Sequence, residues 1–174
     1  MPESALIVRV PEAEAHVERW RALYDPAHAQ GVPAHITILY PFVAPERITS
    51  ALLAPVAELA AASAPFDFVL ARGGRFPGVF YLAPEPAEPF VELTRELVRR
   101  FPEHPPYGGA FDTIVPHLTV AHAGESEQRA TADDLAHLFA PGGGIRARCA
   151  ELVLIENTSG RWRTLRVFAL GRSG

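Results

Sequence analysis

Hydrophobic and polar positions alternate along the chain with two periods, and the switches between them predict its elements. Ala5 to Val10 is a β-rich apolar run and predicts a strand. Pro11 then opens a helix, with Ala13, Val17, Trp20 and Tyr24 at helical spacing. His35 to Tyr40 alternates β-branched residues and predicts a strand ending at Pro41. Ile48, Ala51, Leu52, Val56 and Leu59 form a helical stripe, which Pro55 should kink or restart. Phe66 to Leu70 and Val79 to Leu82 predict two strands around a turn at Gly73-Gly74 and Pro77-Gly78. A second clear stripe follows in Phe90, Leu93, Leu97, Val98 and Phe101, and then an irregular loop rich in proline and glycine, 102 to 109. Thr113 to Ala121 predicts a strand and Glu125 to Phe139 a helix. Gly142-Gly143-Gly144 breaks the chain before two closing strands, Arg146 to Ile155 and Thr164 to Leu170, joined by a turn at Asn157 to Gly160.

The order of elements repeats. Strand, helix, strand, turn, strand follows His35 and follows His117, 82 positions further on. This predicts an α+β fold with two similar lobes facing each other, each a mostly antiparallel sheet with helices outside. Residues 1–174 read as one domain of this kind. A parallel dinucleotide-binding sheet is disfavoured, because regular β-α-β alternation and a G-x-G-x-x-G are both missing.

The repeat carries a matching chemical signal. His35-Ile36-Thr37-Ile38 and His117-Leu118-Thr119-Val120 are two copies of H-x-T-x. On a strand, residues i and i+2 share a face, so each His projects with its Thr while the apolar spacers enter the core. With 7 His and 8 Thr in the sequence, about 0.3 such matches are expected by chance, so the pair at equivalent points is specific. Two imidazoles flanking a phosphorus suit in-line acid–base chemistry near neutral pH: one neutral, taking a proton from the attacking water or hydroxyl, the other protonated, giving one to the leaving oxygen. The two Thr hydroxyls can donate to the non-bridging oxygens, where charge accumulates. Such a site needs neither a metal nor a covalent intermediate.

Composition narrows the field further. The 16 basic residues are all Arg, and without Lys the chain cannot be a lysyl-adenylate ligase, a pyridoxal Schiff-base enzyme or a Walker-type P-loop protein. A net charge of −4 argues against a scaffold coating many phosphates, though not against a site for one. One cysteine, Cys149, excludes an internal disulfide framework. The acidic start and the charges and prolines in the longest apolar stretch predict no membrane span, and hence a cytoplasmic protein.

The chain resembles the 2H phosphoesterase superfamily, in its 2′-5′ RNA ligase-like (cyclic phosphodiesterase) branch. The resemblance rests on Gly31 to Phe42, on Pro105 to Gly109 and on Pro116 to Ala121, with Thr164 to Leu170 similar to the family's last strand. It implies a bilobal fold of two intimately packed lobes related by a pseudo-twofold axis, whose central cleft holds both motifs, with His35 and His117 as the acid–base pair and Thr37 and Thr119 as phosphate-binding hydroxyls. It also implies hydrolysis of 2′,3′-cyclic phosphates on RNA ends or small nucleotides, or the reverse ATP-independent 2′-5′ ligation, and no cofactor. Leu39-Tyr40-Pro41-Phe42 stands where other branches end in phenylalanine–leucine–glycine, which leaves the substrate open.

Other residues are weighed against plainer roles. Tyr40 and Tyr107 are candidates to stack a base, and Arg161 and Arg163 to grip a neighbouring phosphate; core packing and a solvated turn are the alternatives. His122, at odd spacing from His117, is expected on the opposite face, and a zinc site from His35, His117 and His122 lacks supporting carboxylates. Cys149 is expected buried and unreactive. The competing class is a module that captures a nucleotide or RNA-end phosphate without turning it over. No protein partner is implied, and a monomer is expected.

Overall fold

The computed structural model describes residues 1–171. Its eight strands are β1 (Ser4–Arg9), β2 (His35–Leu39), β3 (Phe66–Phe76), β4 (Val79–Glu85), β5 (Leu118–His122), β6 (Ile145–Cys149), β7 (Glu151–Glu156) and β8 (Arg163–Ala169). Its α-helices are α1 (Glu14–Tyr24), α2 (Pro26–Ala29), α3 (Ser50–Ala62), α4 (Glu88–Arg100) and α5 (Glu125–Asp134). The strands form two four-stranded sheets, β2-β1-β7-β8 and β5-β4-β3-β6, in which every pairing is antiparallel. The α+β duplicate with two sheets is thus the architecture observed.

The repeat, however, starts one strand earlier than the sequence suggests. The matching halves are β1-α1-β2-α3-β3 and β4-α4-β5-α5-β7. In each, the first two strands pair, while the third crosses to the other sheet and pairs with the first strand of the other half: β3 with β4, β7 with β1. β6 and β8 are added at the outer edges.

Other expectations change with this crossing. Arg146 to Ile155 is not one strand: the chain leaves the second sheet after Cys149 and enters the first at Glu151. Burial explains the break, since Ile145–Cys149 alternates buried and exposed as an edge strand does, whereas Leu152 to Glu156 is buried throughout, as befits a central strand. β3 does not turn at Gly73-Gly74 but runs through both to Phe76, leaving Pro77-Gly78 as the turn. Residues 113–117 are irregular, and β5 begins only at Leu118. Pro55 lies inside α3, whose start at Ser50 is capped by the Thr49 hydroxyl accepting from the Leu52 amide. The helix from Glu125 ends at Asp134, followed by a 3₁₀ turn over Ala136–Phe139.

One hydrophobic core joins both sheets and their helices, with Leu6, Val8, Ile36, Ile38, Leu82, Leu118 and Val120 at its centre. α4 shows how a helix is chosen and placed. Phe90, Leu93 and Leu97 form its buried stripe, Arg99 and Arg100 complement its C-terminal dipole, and the buried Thr94 hydroxyl donates to the Ile38 carbonyl of β2 at 2.7 Å. α1 packs correspondingly on β5. β2 and β5, the inner edges of the two sheets, lie beside each other and bring the two motifs to the cleft.

Candidate active site

His35 and His117 are held the same way. Each imidazole places Nδ1 against the carbonyl two residues earlier, Pro33 at 2.8 Å and Val115 at 2.7 Å. A carbonyl only accepts, so Nδ1 carries the proton and Nε2 presents a lone pair. Neither Nε2 has a protein hydrogen-bond partner among the described residues. Both rings are partly exposed, and each is charge-coupled to another cleft imidazole, His35 to His117 and His117 to His122. Desolvation, the main cause, pulls His35 down to about 4, against the raising effect of the Pro33 bond; the buried Arg21 charge adds to the fall. His117 is also lowered, again mainly by desolvation, with His122 contributing.

Thr37 and Thr119 share the faces of their histidines. Thr37 pairs with Ile7 of β1, Thr119 with Tyr81 of β4. Beyond each Thr the strand bulges. Ile38 and Leu39 are both buried, as are Val120 and Ala121, so the alternation inverts and the next residue returns to the cleft face. That residue is Tyr40 in one half and His122 in the other. The expectation that His122 points away is therefore overturned by the bulge: it is exposed, opposite Val79, and close enough to His117 to depress its protonation.

Two aromatic walls flank the motifs. Phe76 stacks on Tyr81 with ring centroids 4.5 Å apart, and both rings contact His117, at 5.0 and 5.4 Å. Gly74 makes this possible, since a Cβ there would lie 2.5 Å from the Tyr81 hydroxyl. Across the cleft, Trp162, Tyr40, Tyr107 and Phe111 form a chain of edge-to-face rings with centroid spacings of 6.3, 6.3 and 5.7 Å. Its outer end is open to solvent, with Phe111 70% and Tyr107 38% exposed. Tyr107 adopts a left-handed φ of 52°, donates its amide to the Tyr40 carbonyl and brings its phenol near the Thr37 side chain. Strained non-glycine residues of this kind cluster at functional sites.

A family model described as the 2′-5′ RNA ligase superfamily matches residues 10–161. The chain belongs to that superfamily. Solved structures share the superfamily member's fold at low identity. E. coli LigT complexed with 3′-AMP is 18% identical with a TM-score of 0.60, covering 99% of this chain and 100% of that one. TT0787 of Thermus thermophilus is 21% identical with a TM-score of 0.67, at 99% and 100% coverage. E. coli LigT complexed with NADP+ is 20% identical with a TM-score of 0.59, at 98% and 98%. No curated protein sequence matches significantly.

Within this superfamily chain, the remaining candidates divide. Tyr40 and Tyr107 lie at the site. Arg161 and Arg163 flank Trp162, but Arg161 donates to the Ala29 carbonyl at 3.2 Å, and Arg163 pairs with the buried Glu156 carboxylate. Hydrogen bonds from Thr158, the largest cause, and from Arg163 hold Glu156 at about 2. Cys149 is fully buried and desolvation pushes its thiol up to about 12, which leaves no reactive thiolate. Among the described residues, no three His, Cys, Asp or Glu side chains form a metal-binding group, and no helix is long and apolar enough to cross a membrane. Phe76 and Phe111 escape sequence reasoning; the signal for the first is a glycine inside a strand opposite a tyrosine, Gly74 facing Tyr81.

Proposed function

We propose that the protein is a phosphoesterase that opens 2′,3′-cyclic phosphates on RNA ends or small nucleotides by two-histidine acid–base catalysis. The observation that carries this is the matched pair of imidazoles, each with Nδ1 committed to a carbonyl and Nε2 left for chemistry beside a motif threonine.

The neutral histidine takes a proton from water as the water oxygen bonds to phosphorus. The P–O3′ bond breaks in line, and the opposite imidazolium gives its proton to O3′. A 2′-phosphomonoester and a free 3′-hydroxyl result, with the two histidines having exchanged protonation states. If a ribose 5′-hydroxyl replaces water, the same displacement makes a 2′-5′ linkage. Both imidazoles are depressed in the free protein, so the bound phosphate anion supplies the field that retains one proton between them. Thr37 and Thr119 donate to the non-bridging oxygens, and the Trp162-Tyr40-Tyr107 wall stacks a base. The family match supports the phosphoester reading, and the LigT structures carrying 3′-AMP and NADP+ support a nucleotide-sized ligand.

The test is incubation with 2′,3′-cyclic nucleotides in excess EDTA, followed by phosphorus NMR. The expected product is the 2′-phosphate. Binding without turnover would indicate a capture module instead, and activity lost to EDTA and restored by zinc would indicate a metal enzyme.

A further inference from the structure

Behind His35 lies an ion pair that the proposed reaction does not touch. Arg21 of α1 has no exposed surface; its Nε binds Asp25 Oδ2 at 2.8 Å, and the two side chains are 0% and 2% exposed. Arg21 Nη2 donates to the Val32 carbonyl at 2.9 Å, while Nη1 is buried with no partner among the described residues. Asp25 Oδ1 accepts from the Ala27 amide and caps α2. A buried pair of this kind is a weak source of stability, since apolar replacements are often neutral or better, and an unsatisfied guanidinium nitrogen adds a cost. Its contacts indicate a role other than stability.

Val32 precedes Pro33, whose carbonyl receives the Nδ1 proton of His35. Ala34 donates its amide to Glu14 Oε1 at 2.6 Å, and its carbonyl accepts from Val10. Glu14 and Arg21 are seven residues apart, two turns along one face of α1, so a single helix grips the segment before His35 at both ends. No side chain among the described residues holds the backbone of residues 113–116 before His117 in this way. The bracing is therefore one-sided, although the two histidines otherwise match.

We propose that Arg21 and Asp25 are positioning residues for His35: they clamp the Val32-Pro33 segment so that its carbonyl locks the Nδ1–H tautomer and aims the Nε2 lone pair into the cleft. The proposal rests on the acid–base role given to His35 above. The charged and titratable groups around that ring are Arg21 and Asp25 behind it, His117 across the cleft, and Arg9 on the neighbouring strand, which is paired with Glu151 of β7. Tyr107 reaches the same face through Thr37. Arg21 and Asp25 act on the ring with opposite signs, so removing both changes its position more than its local charge.

The experiment uses the full chain with Arg21→Met and Asp25→Asn together, since Asn keeps an oxygen to cap α2. The expected double variant melts within a few degrees of wild type. Its kcat for a 2′,3′-cyclic nucleotide falls by about 10- to 100-fold with KM within about twofold, the scale of losing an outer-shell partner of a histidine. Proton–nitrogen correlation of the histidine side chains shows His35 as the Nδ1–H tautomer in wild type and as a mixture in the variant. Arg21→Lys, which keeps the charge but not the fork, shows the same mixture. A folded variant with unchanged kcat and an unchanged His35 tautomer overturns the proposal. Should the double variant unfold, the tautomer in Arg21→Lys decides in its place. Should wild type lack turnover, the function above fails while the tautomer still tests the clamp.

Discussion

His122 stands to His117 as Tyr40 stands to His35: each lies five residues on, past a one-residue bulge, on the face that carries the motif threonine. The two ends of the cleft thus differ in chemistry at a shared position, with a phenol on one side and an imidazole on the other. Tyr40→Ala removes a stacking face, for which single bases typically lose about 1–3 kcal/mol. KM for a cyclic nucleotide should rise about tenfold with kcat little changed. His122→Ala should raise KM more for a dinucleotide than for a mononucleotide. Steady-state kinetics on both substrates check this, and unchanged KM values would place these residues outside the substrate's reach.

His35→Ala and His117→Ala should each lower kcat by at least about 100-fold, the lower end of what a positioned proton carrier contributes. Both rings are partly exposed and neither fills the core, so melting temperatures should hold within a few degrees. Wild-type-like turnover in either variant would remove that residue from the mechanism.

Stability should fall in acid through two successive windows. His35 has a folded pKa near 4 against 6.5 unfolded, so its proton binds the unfolded chain more tightly. Its contribution is complete above 6.5 and is lost as pH drops toward 4. Glu156 is held at about 2 against 4.5, so its contribution is lost as pH falls from 4.5 toward 2. Urea midpoints against pH should become shallower in the upper window for His35→Ala, where the lowered His117 still contributes, and should flatten in the lower for Glu156→Gln. Curves parallel to wild type would contradict the assignment.

Gly74→Ala should damage catalysis through packing. The new Cβ would meet the Tyr81 ring and hydroxyl, and Tyr81 touches His117. A cost of about 1–3 kcal/mol is expected for such overpacking, together with a loss of kcat. The companion Gly74→Ala, Tyr81→Ala variant should recover stability but not kcat, which denaturant melts and kinetics would show.

Cys149 should be inert in the folded protein. Iodoacetamide should label it only after denaturation, and Cys149→Ala should retain kcat. Rapid labelling of the native protein, read by mass spectrometry, would contradict its burial.

The site is legible in the sequence to the extent that it obeys strand alternation. His35, Thr37, His117 and Thr119 follow a period of two, and their apolar spacers occupy the core as expected. Alternation fails at the bulges, where an inserted residue returns His122 to the cleft; no side-chain pattern announces a backbone insertion. It fails again at Ala150, because an apolar run reads alike whether it stays in one sheet or moves between two. Gly73-Gly74 reads as a turn because glycine is the usual punctuator, whereas here it makes room for the rings of Phe80 and Tyr81. Arg21, on α1, has nothing in its sequence neighbourhood to set it apart from a solvated charge, and only tertiary packing shows that it is sealed in.

The exchange of third strands between the halves bears on mechanics. With β3 and β7 each built into the opposite sheet, the chain of each half ties the two jaws together and one core fills the space between them, so the jaws that hold the two imidazoles cannot hinge apart without exposing that core. A ligand must therefore enter an opening of set width, and adjustment to its size falls to the rim, where the chain from Phe111 to Trp162 stands.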